Sequence, residues 1–269
     1  MSAPIIASYG HGTENDFLIL FNPDESIEIL PHQVAAMCSR SSGIGADGFI
    51  RIARREDRWF MDYHNADGTI AEMCGNGIRV MAKYLITHGH QPEGIFAIDT
   101  RDGMKHLRVP LEGDISVNMG KVTDEMEEIE TTNNSRTWSG YNISVGNPHA
   151  VVFVDSLDDV GSLENAPLVT PTSSYPEGVN VEFVEILKSG EAKMRVHERG
   201  SGETRSCGTG TCAVALAAIL KSNGSLPARW TIYPPGGRLI VDIDGHSNAT
   251  LIGPAVIVSE HDITKYLTQ

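Results

Sequence analysis

Apolar residues recur at Ile78, Met81, Ala82, Leu85 and Ile86, the i, i+3, i+4, i+7, i+8 spacing of one helix face, before Gly89 and Pro92 stop the pattern. A second stretch, Cys212 to Leu220, is apolar all round, which predicts a helix enclosed in a domain centre and ended by Gly224 and Pro227. The other apolar segments are short, β-rich and bounded by turn residues, the pattern of strands. They fall at Pro4 to Tyr9, Asp16 to Phe21, Phe49 to Ala53, Trp59 to Tyr63 and Ile95 to Ile98. Five more follow at Tyr141 to Val145, Ala150 to Val154, Val181 to Ile186, Met194 to His197 and Leu239 to Ile243. Lys188-Ser189-Gly190-Glu191, Pro235-Gly236-Gly237 and Asp244-Gly245 read as hairpin connections. Few helices among many strands predict an α+β fold. Thr123 to Thr137, acidic and poor in apolar residues near the midpoint, reads as a domain connector.

The two helical patterns belong to a repeat. Displaced by 133 positions, Gly45 to Leu85 runs without a gap against Gly178 to Ala218. His64 then meets His197, Cys74-Gly75-Asn76-Gly77 meets Cys207-Gly208-Thr209-Gly210, and Asp47 meets Asn180. A displacement of 132 pairs Asn15 with Asn147. A period this long means two copies of one domain and not a solenoid. Each copy donates one cysteine.

Composition narrows the function. The 269 residues suit one large domain or two modest ones, and 41% hydrophobic with 21% charged is a globular balance. Lys and Arg number 21 against 35 Asp and Glu, a net charge of −14, which repels phosphate backbones and anionic lipid. Neither a nucleic-acid nor a membrane partner is expected; a small molecule is. With no signal-peptide pattern at the start and no long apolar run, a cytoplasmic location is expected. Cys38, Cys74, Cys207 and Cys212 are too scattered for a disulfide framework and lack zinc-ligand spacing. Cys38 and Cys212 read as small buried apolar residues.

Cys74 and Cys207 each precede a helix, where open backbone N–H groups and the positive end of the helix dipole stabilise anions. That setting is expected to lower a thiol pKa from about 8.5 to roughly 3.5–7.5. Gly43-Ile44-Gly45-Ala46-Asp47-Gly48 imitates a dinucleotide loop, but a strand and not a helix follows it. His149, Glu198 and Arg199 taken singly have commoner structural fates, but His149 and Glu198 lie near the repeat-related loops. Two thiols from matched helix ends are compatible with a redox pair, a nucleophile with a spectator, a binding cleft, or an acid and a base flanking one carbon. Stereoinversion makes direct use of the duplication, because one group removes an α-proton and the other protonates the opposite face. The helix ends would then act as an oxyanion hole.

Asn15-Asp16-Phe17, Gly43 to Gly48, Asn65-Ala66-Asp67-Gly68, Met73 to Arg79, Gly146-Asn147-Pro148-His149, Gly178 to Phe183 and Glu198 to Gly210 together resemble the diaminopimelate epimerase family. The resemblance implies two pseudo-symmetric domains, each a β-barrel-like sheet wrapped around a central helix, with the active site in the cleft between them. It places the first domain at 1–120, with 255–269 returning to it, and the second at 121–254. It implies a cofactor-independent, metal-free enzyme interconverting LL- and meso-diaminopimelate for lysine and peptidoglycan precursors, with a homodimer among the assemblies it allows. Cys74 and Cys207 would be the acid/base pair, with His149 and Glu198 handling protons and the substrate amine. Asn15, Asn65, Asn147, Asn180 and Arg199 would hold the distal end, Arg199 on its carboxylate. Gly75, Asn76, Gly208 and Thr209 would offer backbone N–H groups to the reacting carboxylate. Glu14, Gly48 and Val80 depart from the family pattern. The alternatives are a proline or hydroxyproline racemase, whose first motif usually has His where Asn76 stands, and a binding protein of the same fold.

Overall fold

The computed structural model describes residues 3–268. They divide into two compact units, the described parts of Met1–Val117 with Pro254–Gln269, and Asn118–Gly253. The first unit opens with β1 (Ile6–Gly12), β2 (Asn15–Phe21), α1 (Pro31–Cys38), β3 (Gly48–Arg55) and β4 (Arg58–Asn65). It continues through α2 (Gly75–Thr87), β5 (Gly94–Thr100), β6 (Gly103–Val109) and into β7 (Ile115–Lys121). The second unit holds β8 (Thr123–Asn133), β9 (Arg136–Ser144), β10 (Pro148–Phe153), β11 (Leu168–Thr170), β12 (Asn180–Lys188) and β13 (Glu191–Glu198). After these come β14 (Gly202–Thr204), α3 (Gly208–Lys221), β15 (Ala228–Tyr233), β16 (Leu239–Ile243) and β17 (Asn248–Gly253). The chain then returns to the first unit as β18 (Val256–Asp262) and α4 (Thr264–Leu267).

The strand pairings of one unit repeat in the other. In the first, β2 runs parallel to β3 and β4 parallel to β5, while β1–β2, β3–β4, β5–β6 and β6–β7 are antiparallel and β18 lies antiparallel to β1. In the second, β10 runs parallel to β12 and β13 parallel to β15, while β9–β10, β12–β13, β15–β16 and β16–β17 are antiparallel and β8 lies antiparallel to β9. Within each unit the sheet wraps one long helix, α2 or α3. The α+β architecture that the resemblance implies is therefore present twice.

The ladders correct the ungapped repeat. Phe17 stands opposite Gly48 and His149 opposite Asn180, so β2 and β3 correspond to β10 and β12 at a displacement of 132. Phe49 stands opposite His64 and Val181 opposite His197, so from β4 onward the displacement is 133. The extra residue is taken up in the β12–β13 hairpin, where the ladder is irregular between Ile186 and Lys188. Asn180 thus corresponds to Gly48 and not to Asp47.

Ile78, Met81, Ala82 and Leu85 of α2 are fully enclosed, as the periodicity predicts, and α3 is buried nearly all round. Each large aliphatic side chain so enclosed contributes about 1.5–3 kcal/mol. Thr123 to Thr137 is not a connector. It forms β8 and the turn into β9, and its charged residues sit on a face open to solvent while Ile129, Thr131 and Asn133 point inward. The turn between β1 and β2 is left-handed at both Thr13 (φ 52°) and Glu14 (φ 58°), a geometry suited to Gly or Asn. Glu14 therefore occupies a position that costs a residue with a Cβ roughly 1 kcal/mol.

Candidate active site

Cys74 and Cys207 have the same local structure. Each is the N-cap residue of its helix, with φ −135° and ψ 119° at Cys74 and φ −124° and ψ 121° at Cys207. Each sulfur accepts a hydrogen bond at 3.4 Å from the amide three residues on, Gly77 N and Gly210 N. The N-cap geometry follows from the sequence, since the glycine-rich first turn lets a sulfur do what a Ser or Asp oxygen usually does.

In the first unit Asn15 organises the helix end. Its Oδ1 accepts from Asn76 Nδ2 at 3.1 Å and from the Cys74 thiol at 3.6 Å, and its Nδ2 donates to Asp47 Oδ2 at 2.8 Å. Arg40 clamps Asp47 and Asp16 together at 2.7 and 2.8 Å. Burial alone would raise the Asp16 carboxyl, but hydrogen bonds from Arg40 and Tyr9 outweigh it and hold the group below its ordinary value. Arg79, fully buried, donates to Asn76 Oδ1 at 2.9 Å and to Gly75 O at 3.0 Å, which orients the Asn76 amide toward Asn15. Sequence reasoning assigned no role to Arg40, Asp47 or Arg79. The available signal was a charged residue on the enclosed part of a helix. Asn65 lies apart from this network, at the end of β4, where it donates to Thr69 Oγ1 at 3.0 Å.

In the second unit the predicted residues come together. Asn147 Nδ2 donates to Thr209 Oγ1 at 3.3 Å, and Thr209 Oγ1 lies 3.5 Å from Cys207 Sγ. His149 Nε2 meets Asn147 Oδ1 at 3.1 Å. Asn180 donates through Nδ2 to Pro148 O at 3.1 Å and accepts from the Arg199 amide at 3.0 Å, so it ties the start of β10 to the turn after β13. The Arg199 guanidinium is partly exposed and meets Glu177, at 3.4 Å from its carbonyl and 3.7 Å from its carboxylate. Gly208 opens α3 between these groups. Glu182 was missed: a carboxylate within the apolar strand Val181-Glu182-Phe183-Val184, fully buried and 2.7 Å from His149 Nδ1.

The electrostatics contradict one expectation. The Cys207 thiol is pushed well above its ordinary value, first by burial and then by the Glu198 and Glu182 carboxylates. The hydrogen bonds from Thr209 and Gly210 act the other way and are outweighed. Glu198 is itself raised by burial, against hydrogen bonds from Thr204 and from the Cys207 thiol that lower it. At Cys207 the lowering effect of the helix N-terminus is outweighed by burial and the two carboxylates. Among the described residues no cluster of His, Cys, Asp and Glu is arranged to hold a metal ion, and no helix is long and apolar enough to cross a membrane.

The diaminopimelate epimerase family model matches twice, over residues 7–124 and 141–258. The chain belongs to the diaminopimelate epimerase family. It is therefore an isomerase of that family. The diaminopimelate epimerase of Streptomyces coelicolor is 44% identical over 97% of this chain and 96% of its own length. That of Rhodococcus opacus is 42% identical, over 95% and 96%. Among solved structures, a Bacillus anthracis PhzF-family phenazine biosynthesis protein superposes with a TM-score of 0.73 at 13% identity, covering 97% of this chain and 99% of its own. A hydroxyproline epimerase from Agrobacterium vitis with bound trans-4-hydroxy-L-proline gives 0.71 at 13%, covering 95% and 91%. At such identities the likeness shows the shared fold and nothing finer.

Proposed function

We propose that this epimerase interconverts LL- and meso-2,6-diaminopimelate without a cofactor, with Cys74 and Cys207 as the two acid/base groups, and so serves cytoplasmic supply of lysine and peptidoglycan precursors. The observation that carries this reading is the repeated thiol, set at the same backbone angles on a glycine-rich helix end in both units. One sulfur, as thiolate, takes the α-proton and becomes a thiol. The carbanion's charge spreads into the α-carboxylate, which backbone N–H groups of the first helix turns, at Gly75, Asn76, Gly208 and Thr209, would stabilise. The other thiol then gives its proton to the opposite face and is left as thiolate.

The raised Cys207 thiol supports its role as proton donor in one direction of the reaction. In the reverse direction Glu198, hydrogen-bonded to Cys207 and itself raised by burial, can receive the Cys207 proton. Asn15, Asn65, Asn147 and Asn180 are proposed to bind the distal amino-acid end. Arg199 is proposed to bind its carboxylate, because its long contact with the highly exposed Glu177 carboxylate is easily exchanged for a bidentate one.

A proline or hydroxyproline substrate is the competing reading, since a hydroxyproline epimerase has this fold. Asn76 in place of His, and Arg199 for a second charged end, support diaminopimelate. Incubation with LL-diaminopimelate, L-proline and trans-4-hydroxy-L-proline separates them by optical rotation or NMR. Inversion of diaminopimelate alone is expected, and its loss in both Cys74→Ala and Cys207→Ala. Inversion of a proline instead, or turnover near wild type in either variant, contradicts the proposal.

A further inference from the structure

Glu182 and His149 meet at 2.7 Å with no exposed surface, and Glu182 Oε2 has no hydrogen-bond partner among the described residues. Removing both charges from water is costly, and a buried pair is weak evidence of stabilisation. The fold does not require it. By the ladder register the positions that correspond to His149 and Glu182 in the first unit are Phe17 and Ile50, both fully buried and apolar. The helix glycines report the same substitution. A Cβ on Gly77 would meet Met61 Cε, Ile50 Cδ1 and Phe17 Cε1, whereas one on Gly210 would stand 2.5 Å from Glu182 Oε1 and 3.3 Å from Cys207 Sγ. Both helices have a glycine here, and one unit fills the place it faces with hydrocarbon while the other fits a carboxylate there beside its thiol.

The bonding pattern of His149 is directional. Nδ1 faces a carboxylate oxygen at 2.7 Å and Nε2 faces an amide oxygen at 3.1 Å, so both ring nitrogens meet acceptors. A ring so placed uses two N–H donors, which only the imidazolium has. The Asn147 amide, held at its oxygen by His149, turns its nitrogen to Thr209 in the first turn of α3. Glu182, His149, Asn147, Thr209 and Cys207 thus form one continuous chain within the second unit.

We propose that Glu182 is a positioning residue for the reaction: it keeps His149 doubly protonated, and through that ring it fixes the Asn147 amide at the helix end carrying Cys207. The proposal rests on the epimerase reading above and differentiates the two units, since the Cys74 helix end is ordered by neutral amides and Arg79 instead.

Nitrogen-15 NMR of the labelled wild-type protein at neutral pH tests it, with the His149 signals assigned by their loss in His149→Gln. Two protonated ring nitrogens are expected. In Glu182→Gln, which keeps shape and removes the charge, the ring should lose one N–H, and kcat should fall by roughly tenfold or more while KM changes by less than about threefold. A wild-type ring with a single N–H overturns the proposal even if Glu182→Gln fails to fold, and so does a Glu182→Gln enzyme with kcat within about twofold of wild type. Wild-type protein that epimerises nothing refutes the functional reading instead, while the ring spectrum still decides whether Glu182 charges His149.

Discussion

The Cys207 thiol hydrogen-bonds to the Glu198 carboxylate, and Thr204 bonds the same carboxylate from the neighbouring strand. This contact pulls in two directions. Glu198 offers a destination for the Cys207 proton, yet its negative charge also helps keep that proton in place, because a thiolate beside a carboxylate is disfavoured.

Glu198→Gln should therefore move the Cys207 titration to lower pH, since one of the two carboxylates opposing the thiolate is gone. Thiolate absorbance, followed against pH in a Cys74→Ala background, reads this directly. Epimerisation by the single variant should fall, because the amide cannot accept the proton. A midpoint that stays or rises on substitution would refute the assignment of Glu198 as Cys207's partner.

Asp62 on β4 anchors the first unit's sheet. It faces Arg51 across the β3–β4 ladder and also binds Arg101 and His64. Burial alone would raise its carboxyl, but these partners overcome burial and hold it far below the usual carboxylate range. A depressed carboxyl stabilises the fold above the unfolded-state pKa of about 3.9, and that stability is lost as pH falls below it. Asp62→Asn should cost about 2 kcal/mol at neutral pH, the buried-pair penalty reduced because both arginines are partly exposed. Its stability should also vary less than wild type's on acidification. Chemical denaturation across pH checks both, and an unchanged neutral-pH stability would contradict the role.

The paired helices with their cysteines were legible because two signals coincided, a 3.6-residue apolar period and a repeated Cys-Gly-x-Gly. β1 to β5, β9, β10, β12, β13 and β16 were legible as short apolar runs, whereas β7, β11, β14, β15, β17 and β18 were not read as strands. Nor was β6, because only Lys105, Leu107 and Val109 point inward, one of them charged, while apolar Met104 faces solvent among polar neighbours. β8 failed for a stronger version of that reason, its solvent face carrying the acidic residues that suggested a connector. The single-residue slip within the repeat lies in a hairpin with no apolar pattern to register it, so Asp47 was matched to Asn180 when Gly48 is the counterpart. The direction of the Cys207 shift was missed because helix-end electrostatics can be read from spacing, while burial and two carboxylates from β12 and β13 require the fold.

The two helix glycines give a paired stability test. Gly77→Ala places its methyl 3.0–3.3 Å from side-chain ends that can yield, and Ala gains about 1 kcal/mol in helix propensity, so stability should stay within about 1 kcal/mol of wild type. Gly210→Ala pushes a methyl to 2.5 Å from a fixed, buried carboxylate oxygen and should cost more than about 2 kcal/mol. Equal unfolding midpoints for the two variants would mean that Glu182 is not fixed where it stands.

The two-thiol mechanism itself is tested most directly by early turnover in D₂O, because a thiol carries a single proton. The sulfur that removes the substrate's α-hydrogen can return it only to the same face, and the deuterium that reaches the other face comes from the second, solvent-equilibrated thiol. NMR of the first turnovers should find deuterium in the inverted product while recovered starting isomer keeps its hydrogen, in both reaction directions. Deuterium appearing equally early in starting isomer and product would mean one exchanging base serves both faces, and would contradict Cys74 and Cys207 as the acting pair.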